Sequence, residues 1–174
     1  EAGGADVFSY EDLDALPDAG EEPDPFGADD HCYIQYSSGS TSAPKGVIGV
    51  QRSVCANLTA IARDGMYLRP NDRACSWLPL YHDMGLIGFV LTPMNGQVSV
   101  DFLATSDFVR RPLLWLRVMT DQKATITYSP SFGYELAAKR SARAEEGSID
   151  LSRVRVAGIG GDMVRPEALN AFAD

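Results

Sequence analysis

The chain has 174 residues with 24 Asp and Glu against 15 Lys and Arg, a net charge of −9, and 45% apolar residues, which fits one globular domain or a piece of one. The first 30 residues hold 11 acids and no Lys or Arg, leaving 13 acids against 15 scattered bases in the other 144. A broad basic face for nucleic acid is therefore not expected, no run approaches the ~18 apolar residues that span a bilayer, and the acidic start is unlike a signal peptide.

Residues 1–30 combine those acids with four Gly and three Pro and read as an acidic flexible connector, with one helical turn at Tyr10–Asp14. From His31 onward, short apolar runs alternate with segments of helical period, the pattern of an α/β sheet domain. Strands are expected at 32–36, 46–50, 73–78, 98–103, 124–128 and 153–158, and helices at 53–66, 84–94, 107–121, 131–146 and 166–174. Ser53 and Asp107 suit N-caps and Pro166 a first turn, while Pro112 predicts an irregular start in the fourth helical segment or a later one. Within that segment Phe108, Val109, Leu113, Leu116 and Met119 form a candidate buried stripe.

Cys32, Cys55 and Cys75 lie 23 and 20 residues apart, spacings of neither a disulfide framework nor a CxxC site, so they read as reduced core thiols of a cytoplasmic protein. Neither His31 nor His82 has a second His or Cys at helical ligand spacing, so no zinc site is expected.

Chemistry concentrates in the stretch Tyr36-Ser-Ser-Gly-Ser-Thr-Ser-Ala-Pro-Lys-Gly-Val47. Gly39 lets the backbone approach an anion, hydroxyls and free N–H groups donate to it, and Lys45 adds a positive charge. A nucleoside-triphosphatase P-loop is excluded, because Pro44 precedes Lys45 and Gly46 follows it. The stretch instead resembles the first core signature of the adenylate-forming superfamily, the acyl-CoA synthetases, luciferases and adenylation domains that activate carboxylic acids with ATP. That resemblance implies phosphate contacts from Ser38, Gly39, Ser40, Thr41, Ser42 and Lys45, with Thr41 nearest a magnesium ion. Charge stabilisation as pyrophosphate departs would be their work.

The second segment, Trp77-Leu-Pro-Leu-Tyr-His-Asp-Met-Gly-Leu-Ile-Gly88, runs from a strand end into an apolar helix. Taken alone, His82 reads more readily as a structural histidine than as a catalytic one. The segment looks most like fatty acyl-AMP ligases, and the likeness implies that His82 borders the reacting carboxylate, Asp83 and Met84 shape the pocket mouth, and Gly85 keeps the helix close to the acyl chain.

Tyr128-Ser-Pro-Ser-Phe-Gly-Tyr134 is similar to the Pro-Asn-Phe-Ala-Tyr element of the same ligases. Phe132 and Tyr134 are two apart, so at most one walls an acyl tunnel, and core packing stands open for each. Val154-Arg-Val-Ala-Gly-Ile-Gly-Gly-Asp-Met-Val-Arg165 ends a strand in glycines, where ligands of open α/β sheets sit. It resembles the family's Gly-Ala-Glu-Pro-Val-Arg element beside adenine, which implies that role for Gly160, Gly161 and Asp162. A tight turn without ligand fits the same residues, and Asp162 for Glu and Met163 for Pro depart from the pattern.

The resemblance covers residues 31–174, read as part of an AMP-binding domain. It implies a partial α/β sheet domain from the N-terminal region of an adenylate-forming enzyme. The family's Tyr-Gly-x-Thr-Glu element, ribose aspartate and C-terminal catalytic lysine are not in these residues, so an internal fragment is expected. The reaction implied is attack of a fatty carboxylate on ATP with magnesium, giving acyl-adenylate and pyrophosphate, then transfer to the phosphopantetheine arm of an acyl carrier protein. A piece of an acyl-CoA ligase, and a non-catalytic nucleotide-binding or carrier-docking module, are the other readings.

Overall fold

The computed structural model describes residues 9–16, 20, 22, 24–36 and 44–173. A 3-10 turn, Tyr10–Ala15, is fixed at its start by Ser9, whose N–H and hydroxyl both donate to Asp12. The strand β1 (His31–Tyr36) pairs antiparallel with β2 (Gly46–Val50), and this ribbon leaves Ile34, Tyr36, Val47 and Ile48 exposed.

Helix α1 (Gln51–Ala60) starts two residues before the expected position, capped by the extended Val50. Ser53 is inside it and donates its hydroxyl back to the Val50 carbonyl at 2.9 Å, so it is not the N-cap. The helix continues as a π-turn, Ile61–Gly65.

The main sheet contains β3 (Arg73–Ser76), β4 (Ser99–Phe102), β5 (Ile126–Ser129) and β6 (Val156–Ile159), all parallel, in the order β4-β3-β5-β6. Each strand is shorter than expected, and β5 and β6 end one residue later than their apolar runs, while Leu103 and Thr125 still bond to β3 from outside the strands. The chain runs outward from β3 to β4, then returns past β3 to β5. Right-handed crossovers therefore put the first connection on one face and the next two on the other, with a crevice where the direction reverses.

The first connection is one helical rod over 83–96, made of α2 (Asp83–Gly85), a π-turn (Leu86–Leu91) and α3 (Thr92–Gly96). The second breaks at Arg111 into α4 (Thr105–Arg110) and α5 (Leu113–Asp121), with Pro112 as the cap of α5. Asp107 is not the cap: Ala104 is, and the Asp107 carboxylate holds Arg110 at 2.6 Å. Helix α6 (Ser131–Ser141) follows β5 and ends five residues before the expected limit, and α7 (Pro166–Ala173) begins on its proline as expected.

On the α4–α7 face, Trp77 stacks on Phe108 at 3.9 Å between centroids, and Trp115 contacts Trp77, Phe108, Tyr134 and Phe172. Phe108, Leu116 and Met119 are buried as the stripe requires, but Val109 is 57% exposed, since the break at Arg111 turns α4 away from the face that α5 presents. The opposite face is built from Ala74, Ile126 and Phe89 with Met66.

The cysteines are unpaired, but only Cys75 is in the core: Cys32 is partly buried and Cys55 is exposed on α1. Burial pushes the Cys75 thiol up to about 12, so it packs as an inert apolar group.

At the strands' N-terminal ends Arg155 holds the buried Asp72 through both carboxylate oxygens and also donates to the Met66 and Tyr67 carbonyls. Thr125 and the Arg69 N–H donate to the same carboxylate. Burial alone would raise the Asp72 carboxyl; the Arg155, Thr125 and Arg69 hydrogen bonds outweigh it and hold the group below the usual carboxylate range.

Candidate functional site

At the C-terminal ends of β5 and β6 a cleft of about 530 Å³ opens between that edge, α1 with its π-turn, and the 83–96 rod. Its walls are Ile61, Met66, Met84, Ile87 and Phe89, and its sheet side is Tyr128, Ile159, Gly160 and Gly161, with Asp83 and Asn57 as polar lining groups. A cleft of this size with apolar walls and few polar atoms suits a small organic ligand. Among the sequence-predicted residues, the fold thus brings Asp83 and Met84 together with Gly160 and Gly161, from segments about eighty residues apart in the chain.

The Gly160–Gly161 turn is shaped by its lack of side chains. Gly161 has φ +80° and a Cβ there would stand 3.3 Å from the Met84 Cε, while a Cβ at Gly160 would meet nothing within 4 Å. The result is a flat backbone shelf facing open space, with the Met84 thioether at its inner edge. A planar base fits such a shelf, where any larger residue would fill it.

Asp162, three residues past β6, points away from the shelf. Its Oδ1 accepts from the Ser131 N–H at 3.1 Å and lies 3.0 Å from the Ser131 hydroxyl. That carboxylate satisfies an orphan donor at the start of α6 and ties the shelf to the helix. Ser131 is wholly buried and also accepts the Arg165 N–H, so it is the joint between the β5–α6 and β6–α7 connections. Nothing in a lone Ser-Pro-Ser sequence signals that position.

His82 caps α2 and is exposed; unlike its neighbours Asp83 and Met84, it is not among the cleft's lining residues. Its Nδ1 lies 2.7 Å from Asp83 Oδ1, and the Met84 N–H is 2.7 Å from that oxygen but 3.3 Å from Nδ1. The Met84 N–H thus donates to both His82 Nδ1 and Asp83 Oδ1, which fixes the first turn of α2. Gly85 is buried against backbone. A Cβ there would come 2.2 Å from the Pro79 carbonyl oxygen and 2.9 Å from its carbon, so only glycine lets α2 fold onto the Leu78–Pro79 turn that carries His82.

Phe132 and Tyr134 are not among the cleft's lining residues. Tyr134 is buried on the opposite face, packs on Phe172 at 4.8 Å and donates to the Gly158 carbonyl at 2.7 Å, and burial raises its phenol well above the ordinary value. Phe132 is half exposed beside Trp77 and lines a separate groove with Leu136 and Ala171. The aromatic residues that do line the cleft are Phe89 and Tyr128, neither of which was singled out from the sequence; Tyr128 is the one on the sheet. It sits over Gly158 across the β5–β6 register, and a Cβ at Gly158 would fall 1.8 Å from the Tyr128 ring. Burial raises its phenol too, keeping it a neutral O–H.

Lys45 is exposed at the end of the loop before β2. Ser38, Gly39, Ser40, Thr41 and Ser42 lie outside the described residues. Among the described residues no group of three or more His, Cys, Asp or Glu gathers to hold a metal, and no helix is long and apolar enough to cross a membrane.

A relative from Caulobacter vibrioides, described as a putative acyl-CoA synthetase, is 52% identical over 161 residues, covering 92% of this chain and 28% of its own length. A medium-chain-fatty-acid–[acyl-carrier-protein] ligase of Teredinibacter turnerae is 36% identical over 144 residues, 83% of this chain and 22% of its own. One solved structure, from a study of fatty acyl-adenylate ligases of E. coli and L. pneumophila, superposes with a TM-score of 0.83 at 49% identity over 92% of this chain and 29% of that one. The chain thus spans under a third of the length of these relatives. The profile of the AMP-binding enzyme family matches residues 4–174, and with the likeness to these relatives and the parallel α/β sheet they superpose on, this chain belongs to the AMP-binding, adenylate-forming family of α/β enzymes.

Proposed function

We propose that this chain forms the acyl and nucleotide walls of an enzyme that activates a fatty acid with ATP and then passes the acyl group to the phosphopantetheine thiol of an acyl carrier protein in the cytoplasm. The observation that carries the reading is the cleft itself, where the apolar 83–96 rod faces the glycine shelf of β6. An apolar tail and a flat base can meet there with a carboxylate between them.

In the reaction a carboxylate oxygen attacks the α-phosphorus of ATP, the bond to the bridging oxygen breaks, and pyrophosphate leaves with the electron pair. Lys45 and the hydroxyls of Ser38, Ser40, Thr41 and Ser42, with the Gly39 backbone, stabilise that leaving charge. His82, at the start of α2, orients the carboxylate. Gly160 and Gly161 receive the adenine, and Asp162 holds their turn in place. Magnesium, when bound, would neutralise phosphate charge, with Thr41 as its protein contact. In the second half the thiol sulfur attacks the acyl carbonyl, AMP departs, and the thiol proton passes to solvent.

Fatty-acid-dependent exchange of pyrophosphate into ATP by the full-length protein carrying this chain tests the first half. Lys45→Ala is expected to slow it at least about tenfold, the scale of one lost transition-state charge contact, and an unchanged rate would remove the phosphate-loop assignment. Acceptor choice is read by offering holo acyl carrier protein and coenzyme A side by side. The 52% likeness to the putative acyl-CoA synthetase keeps coenzyme A as the second reading, and acyl-CoA as sole product would establish it.

A further inference from the structure

Three spaces on the cleft face of the sheet meet at one side chain. The cleft of about 530 Å³, a groove of about 380 Å³ beside the edge strand β4, and a void of about 10 Å³ between them all have Phe89 in their walls. The groove is lined by Val90, Pro93, Met94, Val98, Val100 and Phe102. The void, bordered by Met66, Thr92 and Ile126, is at the lower limit for a single water. Phe89 is 1% exposed, so the partition between cleft and groove is one ring thick.

We propose that Phe89 is a chain-length gate: when its ring turns, cleft and groove join through the void into one apolar passage that takes the tail of a longer fatty acid. This rests on the carboxylate-activating reading above. The neighbouring Gly88 leaves room for the movement, since a Cβ there would meet nothing within 4 Å. Phe89 also sits on the π-turn Leu86–Leu91, whose wider winding inserts an extra residue and is a recurrent feature of ligand sites. Its aromatic neighbour is Tyr128, edge-on at 6.3 Å between centroids, a contact weaker than the stacked pair on the other face. The Thr92 hydroxyl on the void is buried with no partner among the described residues, a cost that falls once the gate turns and water can reach it. Val90, Pro93, Val98, Val100 and Phe102 give the groove an apolar side along which an alkyl tail can lie, beside the polar Gln97 and Ser99.

The test measures exchange of pyrophosphate into ATP by the full-length protein across a graded series of saturated acids. Phe89→Leu removes the ring while keeping an apolar residue. It is expected to move the preferred acid to greater length and to raise kcat/KM for the longest acids by about tenfold or more, since each methylene newly accepted in an apolar pocket is worth at least that. Adding Val100→Phe, which fills the groove and leaves the cleft untouched, is expected to cancel the gain. Exchange with an unmoved length profile in Phe89→Leu overturns the gate alone. A gain that survives Val100→Phe places the extra room in the cleft and overturns the passage. Absence of fatty-acid-dependent exchange in the parent overturns the activation reading and the gate together.

Discussion

Gly158→Ala is the sharpest test of how the cleft floor is built. A Cβ at that position would stand 1.8, 2.1 and 2.3 Å from three ring atoms of Tyr128, against the ~3.5–4.0 Å of an ordinary carbon contact. An overlap near 2 Å exceeds what neighbouring atoms absorb by small shifts, so the ring must rotate into the cleft and lose its place against Phe89. Overpacking of this kind costs about 1–3 kcal/mol; with the ring free to move toward open space, we expect about 2. Truncating the ring alone, in Tyr128→Ala, is expected to cost about 2 kcal/mol as well, below the ~3–5 of a fully buried aromatic because Tyr128 is only partly buried. If the two residues occupy one another's space, the double variant costs about 2 rather than 4, a coupling of about 2 kcal/mol, within the range for residues in contact. Urea unfolding followed by tryptophan fluorescence reads this directly, since Trp77 and Trp115 are both buried, and additive costs in the double variant would refute the packing argument.

Gly85→Ala meets backbone rather than a side chain, at the Pro79 carbonyl, so it is expected to lower Tm by roughly 4–8 °C (about 2 kcal/mol at this chain length) and to displace His82; an unchanged Tm would refute the close approach. Asp162→Ala should cost about 1 kcal/mol, the scale of a lost helix cap, and raise KM for ATP more than it lowers kcat, with Asp162→Asn recovering most of both. An equal loss in the Asn variant would show that the carboxylate acts otherwise than through Ser131. Because the folded Asp72 carboxyl lies below its unfolded value, its contribution is present above about pH 4 and is lost as pH falls through the folded value. Stability measured from neutral pH downward should therefore drop less steeply in Asp72→Asn than in the parent, from a lower starting point, and parallel curves would refute that role for Asp72.

The α/β alternation, the helix on Pro166 and the interruption at Pro112 were legible because each follows from local chemistry: strand runs of branched residues, or a ring that cannot donate. Ser53 and Asp107 misled, because both have capping side chains yet the backbone at Val50 and Ala104 turns earlier. The π-turns were invisible, since the stretch Leu86–Leu91 has the composition of any buried helix and only contact with the sheet widens it. Of the residues the motifs named, Asp83, Met84, Gly160 and Gly161 meet in one cleft, a placement the motif order alone does not give. Tyr128, Gly158 and Ser131 were not legible, because their roles exist only across strand register or between two connections, and no spacing along the chain encodes either.

The two faces of the sheet divide the work of this chain. On the α4–α7 face, Trp77, Phe108, Trp115, Tyr134 and Phe172 interlock ring on ring, and the groove beside Phe132 lies between α6 and α7, away from the sheet. On the other face, Met66, Phe89 and Tyr128 enclose three spaces that a better-filled core would not leave. Close packing gains dispersion energy at every contact and voids forfeit it, so the open face is kept at a stability cost that the aromatic face offsets. Large-to-small changes at Phe108 or Trp115 should then cost the full ~3–5 kcal/mol of a buried aromatic while leaving ligand selection alone. The equivalent change at Phe89 trades stability for reach.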